Sequence, residues 1–151
     1  MIPSELNERQ RRGLVAEGAV AGHLMALGWH VVPYGVGRWD YDGTISQVLR
    51  RLRSPLMGAP DFLAVHDAPD RAWLVDVKWP TGSGIYVETE ALRRACFAGV
   101  RVVFVWYQRG CADAATCVRH CYDGAPTPNG SGTPYQVIDP TVLQPVEVMF
   151  A

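Results

Sequence analysis

Apolar residues in the first part of the chain recur at the spacing of a helix. Over residues 4–27 the positions Leu14, Ala21 and Met25, with neighbouring leucines, predict the apolar face of one long helix. Gly28 is the kind of residue that commonly ends such a helix, because it adopts a left-handed conformation without strain. The chain therefore opens with an amphipathic helix.

Three further segments have the residue types and the short apolar runs of β-strands. Residues 29–34 predict one strand, and residues 60–80 predict two strands joined by a turn near residues 66–70. Residues 100–107 are apolar at nearly every position, which is typical of a central strand covered on both faces.

Helices are predicted for residues 44–53 and 86–98, the second ending at Gly99. The order α-β-β-β-α-β predicts an α/β fold with a mixed sheet flanked by helices. We expect one domain over residues 1–151, with its core at about residues 4–108.

The remaining residues, 109–151, are expected to form a loop-rich C-terminal extension. Residues 109–134 are rich in turn-forming residues, and residues 135–139 and 145–150 predict edge strands.

Composition limits the class of protein. The chain is 48% hydrophobic and 19% charged, as expected for an ordered globular domain, and its net charge of −1 argues against binding of nucleic acid by general basicity. No apolar run is long enough for a membrane span, and the polar N-terminus does not resemble a signal peptide, so we expect a cytoplasmic protein without membrane contact.

An acid and a base stand two residues apart in an otherwise apolar strand. Asp76 and Lys78 are expected on one face of that strand, with Val75 and Val77 on the other. Charges in such a run need compensation, because unpaired buried charge is costly. One explanation is a structural ion pair at a strand end; the other is an active site.

A metal ion would explain the charges. Mg²⁺ usually binds one or two carboxylates and keeps water or phosphate in its other positions. Asp61 and Asp76 on paired strands could share one ion, with the Val77 carbonyl and Glu17 as further ligands. Lys78 could then orient or deprotonate a water molecule, or stabilise a phosphorane-like transition state.

The same residues carry a resemblance to a known superfamily. Pro60-Asp61 followed after 14 residues by Asp76-Val77-Lys78 resembles the PD-(D/E)xK nucleases. Arg12-Gly13, Glu17 and Gly28-Trp29 occur in the order found in archaeal-type Holliday junction resolvases and related restriction-endonuclease-like nucleases, and the similarity covers roughly residues 12–107.

This resemblance implies a restriction-endonuclease-like core with a catalytic set of Glu17, Asp61, Asp76 and Lys78. It implies Mg²⁺ or Mn²⁺ as cofactor, DNA as partner and a possible homodimer. The function expected is a metal-dependent DNA endonuclease, and structure-specific cleavage is one option within that family. The alternative is a catalytically inactive member that binds nucleic acid or a protein.

Other residues are weaker candidates. Phosphate contacts are expected from four arginines, namely Arg12, Arg38, Arg93 and Arg94, for which solvated positions are an equal alternative. Glu88 is a minor metal candidate, and Tyr86 a minor substrate contact. The spacing of Cys111, Cys117, His120 and Cys121 differs from that of common zinc sites, so these cysteines are expected to be thiols. A small zinc-stabilised interaction protein built on this segment is the lesser alternative.

Overall fold

The computed structural model describes residues 8–35, 59–67, 70–124 and 133–151. The predicted helix at residues 44–53, the first residues of the predicted helix at 4–27, and Arg38 lie outside these residues. The helices are α1 (Glu8–Ala26), α2 (Thr89–Cys96), α3 (Ala114–Arg119) and α4 (Val146–Met149), and a 3₁₀ helix covers Pro140–Val142. The strands are β1 (His30–Pro33), β2 (Phe62–Val65), β3 (Ala72–Lys78), β4 (Tyr86–Glu88), β5 (Val102–Trp106), β6 (Gly110–Asp113), β7 (Cys121–Asp123) and β8 (Tyr135–Ile138).

The main sheet has five strands in the order β1-β2-β3-β5-β6. β3 and β5 are parallel, and the other neighbours are antiparallel. The parallel pair requires a crossover, which α2 supplies. The predicted α/β class with a mixed sheet flanked by helices is therefore confirmed. All five residues of β5 are buried, as predicted for a central strand.

Helix α1 packs on one face of the main sheet. Its buried residues, Ala16, Val20, Ala21 and Leu24, recur at helical spacing. Leu14 and Met25, which the sequence analysis assigned to the apolar face, are instead exposed. Gly28 follows the helix with φ +91°, and this left-handed conformation explains why glycine is found at the helix end.

The alternation of side chains in β3 divides the core into two layers. Val75 points to the α1 side, where it packs with residues such as Phe62 and Val103. Leu74 points to the opposite side and packs with Phe104 and with Leu92 of α2. Both faces of the sheet are thus covered by apolar side chains.

A second, three-stranded sheet has the order β4-β8-β7. Residues 86–88 were predicted to start a helix, and that prediction is wrong: Tyr86 pairs with Val137 and Glu88 with Tyr135 as strands. The helix begins only at Thr89.

Two predictions for the C-terminal region also need correction. Strand β8 is the middle strand of its sheet and not an edge. Residues 145–150 form the short helix α4 and not a strand, because Val146, Met149 and Phe150 turn one face of a helix towards the α1-side core. The segment after residue 108 also contains β6 of the main sheet, so the sheet continues beyond the predicted core.

Among the described helices, none is both long enough and apolar enough to cross a membrane.

Candidate metal and phosphodiester site

The C-terminal half of β3 carries the acid and the base. Asp76 is only 7% exposed and lies beside Phe104 of β5. Lys78 Nζ lies 3.0 Å from Asp76 Oδ1, so the two side chains share one face of the strand as predicted. Val75, on the other face, is fully buried. Strand alternation therefore accounts for the ion pair.

Asp61 is held against β3 by two hydrogen bonds. Its backbone N–H donates to the Val75 carbonyl at 3.0 Å, and the Val77 N–H donates to Asp61 Oδ2 at 2.7 Å. Phe62 pairs with Val75 in the antiparallel register, which brings the preceding residue, Asp61, beside Asp76. The two carboxylates predicted to converge are therefore neighbours at one end of the sheet.

The electrostatic environment of Asp61 is strongly unfavourable to a negative charge. Burial, and then the nearby charges of Asp76 and Glu17, raise the pKa of Asp61 to about 8. The Val77 N–H and the Lys78 ammonium act in the opposite direction but do not compensate. Burial and the neighbouring negative charges therefore favour the protonated form of the Asp61 carboxyl.

Glu17 lies in the middle of α1, half-buried, next to the buried Ala16. Its charge contributes to the raised pKa of Asp61, so α1 carries this carboxylate near the acid pair. The fourth predicted residue thus belongs electrostatically to the same site.

Lys78 is held as an ammonium ion by its neighbours. Burial alone would lower the pKa of Lys78, but the contact with Asp76 and the charges of Asp61 and Glu88 raise it above its ordinary value. Glu88, at the end of β4, is thereby placed near the site, although it does not begin a helix as predicted.

The donor atoms fit a hard divalent cation in chemistry and number. Asp61 and Asp76 provide two adjacent carboxylates, which is the number that Mg²⁺ usually takes from protein. A cation there would offset the repulsion that raises the pKa of Asp61. However, within the described ranges no three His, Cys, Asp or Glu side chains are grouped as metal ligands. A metal role for Glu17 and for the Val77 carbonyl stays a prediction.

Two cavities border the ion pair. Lys78 lines one of about 580 Å³, together with Arg12, Trp79 and Glu88. Asp76 lines another of about 380 Å³, together with Tyr34 and Arg94. Asp76 and Lys78 therefore each border a cavity, but not the same one, and Asp61 lines neither of the two.

The arginines predicted to contact phosphate differ in their surroundings. Arg12 is exposed, pairs with Glu8 at 2.9 Å and lines the larger cavity. Arg93 donates two hydrogen bonds to Glu90, and Arg94 lies 3.3 Å from the same carboxylate. Arg12 and Arg94 are thus near the site, whereas Arg93 is engaged by its helix neighbour.

The cysteines are distributed over both sides of the main sheet. Cys111 packs in the α1-side core and Cys117 in the opposite layer. Burial raises the pKa of each of these thiols to about 12. All four cysteines are free thiols.

Sequence reasoning named Tyr86 as a minor substrate contact but missed Trp79 and Tyr135, which line the same cavity. Trp79 follows Lys78 directly, and its ring stacks on Tyr107 with the ring centres 5.4 Å apart. Tyr135, from β8, lines the same cavity as Trp79. The exposed tryptophan beside Lys78 was a visible signal; the contribution of Tyr135 depends on a pairing between distant segments.

Comparison of the chain with models of known families, with curated proteins and with solved structures gives no match. Any functional conclusion therefore depends on the site itself.

Proposed function

We propose that this protein is a metal-dependent nuclease of the PD-(D/E)xK type that hydrolyses phosphodiester bonds in DNA. The observation that carries the proposal is the grouping of Asp61, Asp76 and Lys78 at one end of the main sheet. Two carboxylates and an ammonium group at an accessible sheet end are the side chains that this chemistry requires. A homodimer in the cytoplasm is the expected setting.

The order of elements supports a restriction-endonuclease-like core. Helix α1 precedes three antiparallel strands, β1 to β3, and α2 then leads to β5, which is parallel to β3. This is the α-β-β-β-α-β order that the resemblance implies, with the short strand β4 added before α2.

The charge of Lys78 indicates its part in the reaction. Its contact with Asp76 keeps it protonated, and an ammonium ion stabilises negative charge that develops on a transferring phosphoryl group. This favours transition-state stabilisation over removal of a proton from water by Lys78. The Asp61 and Asp76 carboxylates would hold Mg²⁺ or Mn²⁺, with Glu17 and the Val77 carbonyl as further ligands.

A bound Mg²⁺ or Mn²⁺ would supply a Lewis acid for the phosphate and would lower the pKa of a water molecule. The chain's own contribution is to fix the two carboxylates. Asp61 is oriented by the Val77 N–H, and Asp76 is oriented by Lys78 and by burial in the sheet.

The test is cleavage of a panel of linear, flapped, branched and single-stranded DNA and RNA with Mg²⁺ or Mn²⁺. We expect wild-type cleavage that is lost in Asp76→Asn and in Lys78→Ala. Asp123→Asn is the matched control. It makes the same chemical change outside the site, because Asp123 lies exposed in β7. Absence of wild-type cleavage on every substrate would contradict the proposal, as would full activity in Asp76→Asn.

A catalytically inactive binding protein is the second candidate. It is favoured by the ion pair in which Asp76 already has Lys78 as a partner, and by the lack of a three-ligand group in the part of the chain described. Calorimetric titration with Mg²⁺ and Mn²⁺ separates the candidates. Metal binding that is lost in Asp61→Ala supports the nuclease; no binding supports the inactive protein.

A further inference from the structure

A large aromatic side chain stands exposed immediately after Lys78. Trp79 is 40% exposed although it follows a buried strand. Exposed aromatic surface beside polar groups is typical of binding sites. Lys78 and Trp79 line the same cavity, so one ligand there could contact both side chains.

The sheet itself supports this ring. Lys78 pairs with Trp106 in the parallel register, and the Tyr107 N–H donates to the Lys78 carbonyl at 2.9 Å. Trp79 and Tyr107 consequently leave adjacent strands at the same level, and their rings stack with an angle of 29° between the planes. Tyr107 thus fixes the orientation of Trp79 without enclosing it.

The cavity in front of Trp79 combines aromatic and basic groups. Its volume of about 580 Å³ lies within the roughly 300–1,000 Å³ of small-molecule sites. Tyr86 and Tyr135 form another part of the wall, with their ring centres 6.4 Å apart. Arg12 lies over the Trp79 ring, its guanidinium carbon 5.7 Å from the ring centre.

The charges of this cavity favour an anion. Arg9, Arg12 and Lys78 line it, against the two carboxylates of Glu8 and Glu88. Glu8 is paired with Arg12 in an exposed ion pair, which is the kind of contact that contributes little to stability and can be exchanged for a phosphate. A ligand with a flat ring next to a phosphate matches both the aromatic wall and the basic side chains of this cavity.

We infer that Trp79, supported by Tyr107, stacks on an unpaired base of a DNA strand whose phosphate lies at Lys78. In a duplex the faces of the bases are covered by their neighbours. Stacking on the Trp79 ring therefore favours binding of single-stranded or flapped DNA over paired DNA. The inference rests on the proposed function for the position of the phosphate, and it names the substrate class of that site.

The inference can be tested without cleavage. Binding of a fluorescently labelled single strand of about 12 nucleotides, a length suited to single-strand binding sites, is compared with binding of a blunt hairpin duplex in EDTA at fixed salt. The variants are Trp79→Ala and Trp79→Phe. Tyr122→Ala is the matched control, because Tyr122 is an exposed aromatic residue of β7 that does not line the cavity.

We expect the wild type to bind the single strand more tightly than the duplex. Trp79→Ala should weaken single-strand binding roughly 5- to 150-fold, the range for loss of one stacked base, whereas Trp79→Phe should weaken it less. Duplex binding should change little in either variant, and Tyr122→Ala should behave as wild type.

The inference is overturned if the wild type fails to bind the single strand or binds both DNAs equally. Unchanged single-strand binding in Trp79→Ala would also overturn it, as would an equal loss for both DNAs. These outcomes are separate from those of the nuclease test, because no metal is present. Tryptophan-dependent binding without cleavage under any condition would sustain the stacking site and remove the nuclease.

Discussion

The two ends of β3 both place cations beside aromatic rings, but with opposite exposure. At the first end Trp73 is 7% exposed, and the guanidinium carbons of Arg71 and Arg101 lie 5.6 and 4.3 Å from its ring centre. At the other end Trp79 is exposed, while Asp76 is buried with Lys78 against it. The first end buries its apolar surface and leaves its charges near solvent, which stabilises a fold. The second end exposes its aromatic surface and buries its charged groups.

This difference separates stability from function within one strand. Trp73 packs with Trp29 and Phe150, and the Trp29 ring N–H donates to the Phe150 carbonyl at 2.8 Å. Asp61 accepts a hydrogen bond from the Val77 N–H, but burial among like charges still raises its pKa to about 8. Unfavourable electrostatics of this kind are common at functional sites, and the predictions below set the two ends against each other.

The largest expected effect is on stability, at the first end. Trp73→Ala removes a buried indole and should lower the free energy of unfolding by about 3–5 kcal/mol. Trp73→Phe, which keeps a ring, should cost less. Urea denaturation measures both. A stabilising role for the first end of β3 is contradicted if Trp73→Ala unfolds at the same urea concentration as the wild type.

The next effect is on activity, at the other end. Asp76→Asn should reduce cleavage by about 100-fold or more, since it removes a charge from the proposed metal site. Without metal, the change relieves repulsion with Asp61 but also removes the 3.0 Å ion pair with Lys78, so the net effect on stability should be small. Initial rates and thermal unfolding are the measurements. A large loss of stability would make Asp76 a structural residue instead.

A pH dependence is expected in the metal-free protein. Asp61 ionises near its ordinary value of 3.8 in the unfolded chain but near 8 in the folded protein, so the folded state binds more protons between these values. The free energy of unfolding should therefore fall as pH rises from about 4 to about 8. Asp61→Asn should flatten that decline. Denaturation of the wild type and of Asp61→Asn in EDTA at several pH values measures this decline. Parallel plots of unfolding free energy against pH for the two proteins would contradict the prediction.

The smallest effect is expected from a cation at the first end. Arg101→Met removes the charge over Trp73 and the 3.0 Å ion pair with Asp113 while keeping an apolar chain over the ring. The free energy of unfolding should fall by about 0.5–2 kcal/mol. Cleavage per folded molecule should be unchanged, and a loss of activity would show that the two ends are coupled.

The parts of the fold that sequence predicted are those with a local signal. Helix α1, its end at Gly28 and the buried strand β5 follow from periodicity, from a glycine and from a continuous apolar run. The pair Asp76 and Lys78 was visible because strand alternation is a local rule. Their contact at 3.0 Å agrees with that rule.

The errors arose where pairing between distant segments decides the structure. Residues 86–88 precede a helical pattern, but pairing with β8 about 50 residues later makes them a strand. Residues 145–150 alternate like a strand, yet Val146, Met149 and Phe150 follow a proline at the spacing of one helical turn. That spacing was a usable signal. The aromatic wall from Tyr86 and Tyr135 had none, because β4 and β8 are remote in sequence.

The packing of Phe150 against Trp29 has a consequence for folding during synthesis. These residues are 121 positions apart, and their hydrogen bond and ring contact complete the core at the first end of β3. A ribosome releases the β2–β3 hairpin, with both aspartates, long before residue 150. The hairpin is therefore synthesised before its core is complete. We expect the Trp29–Phe150 contacts, and not those of Asp61 and Asp76, to determine when the domain becomes resistant to proteases.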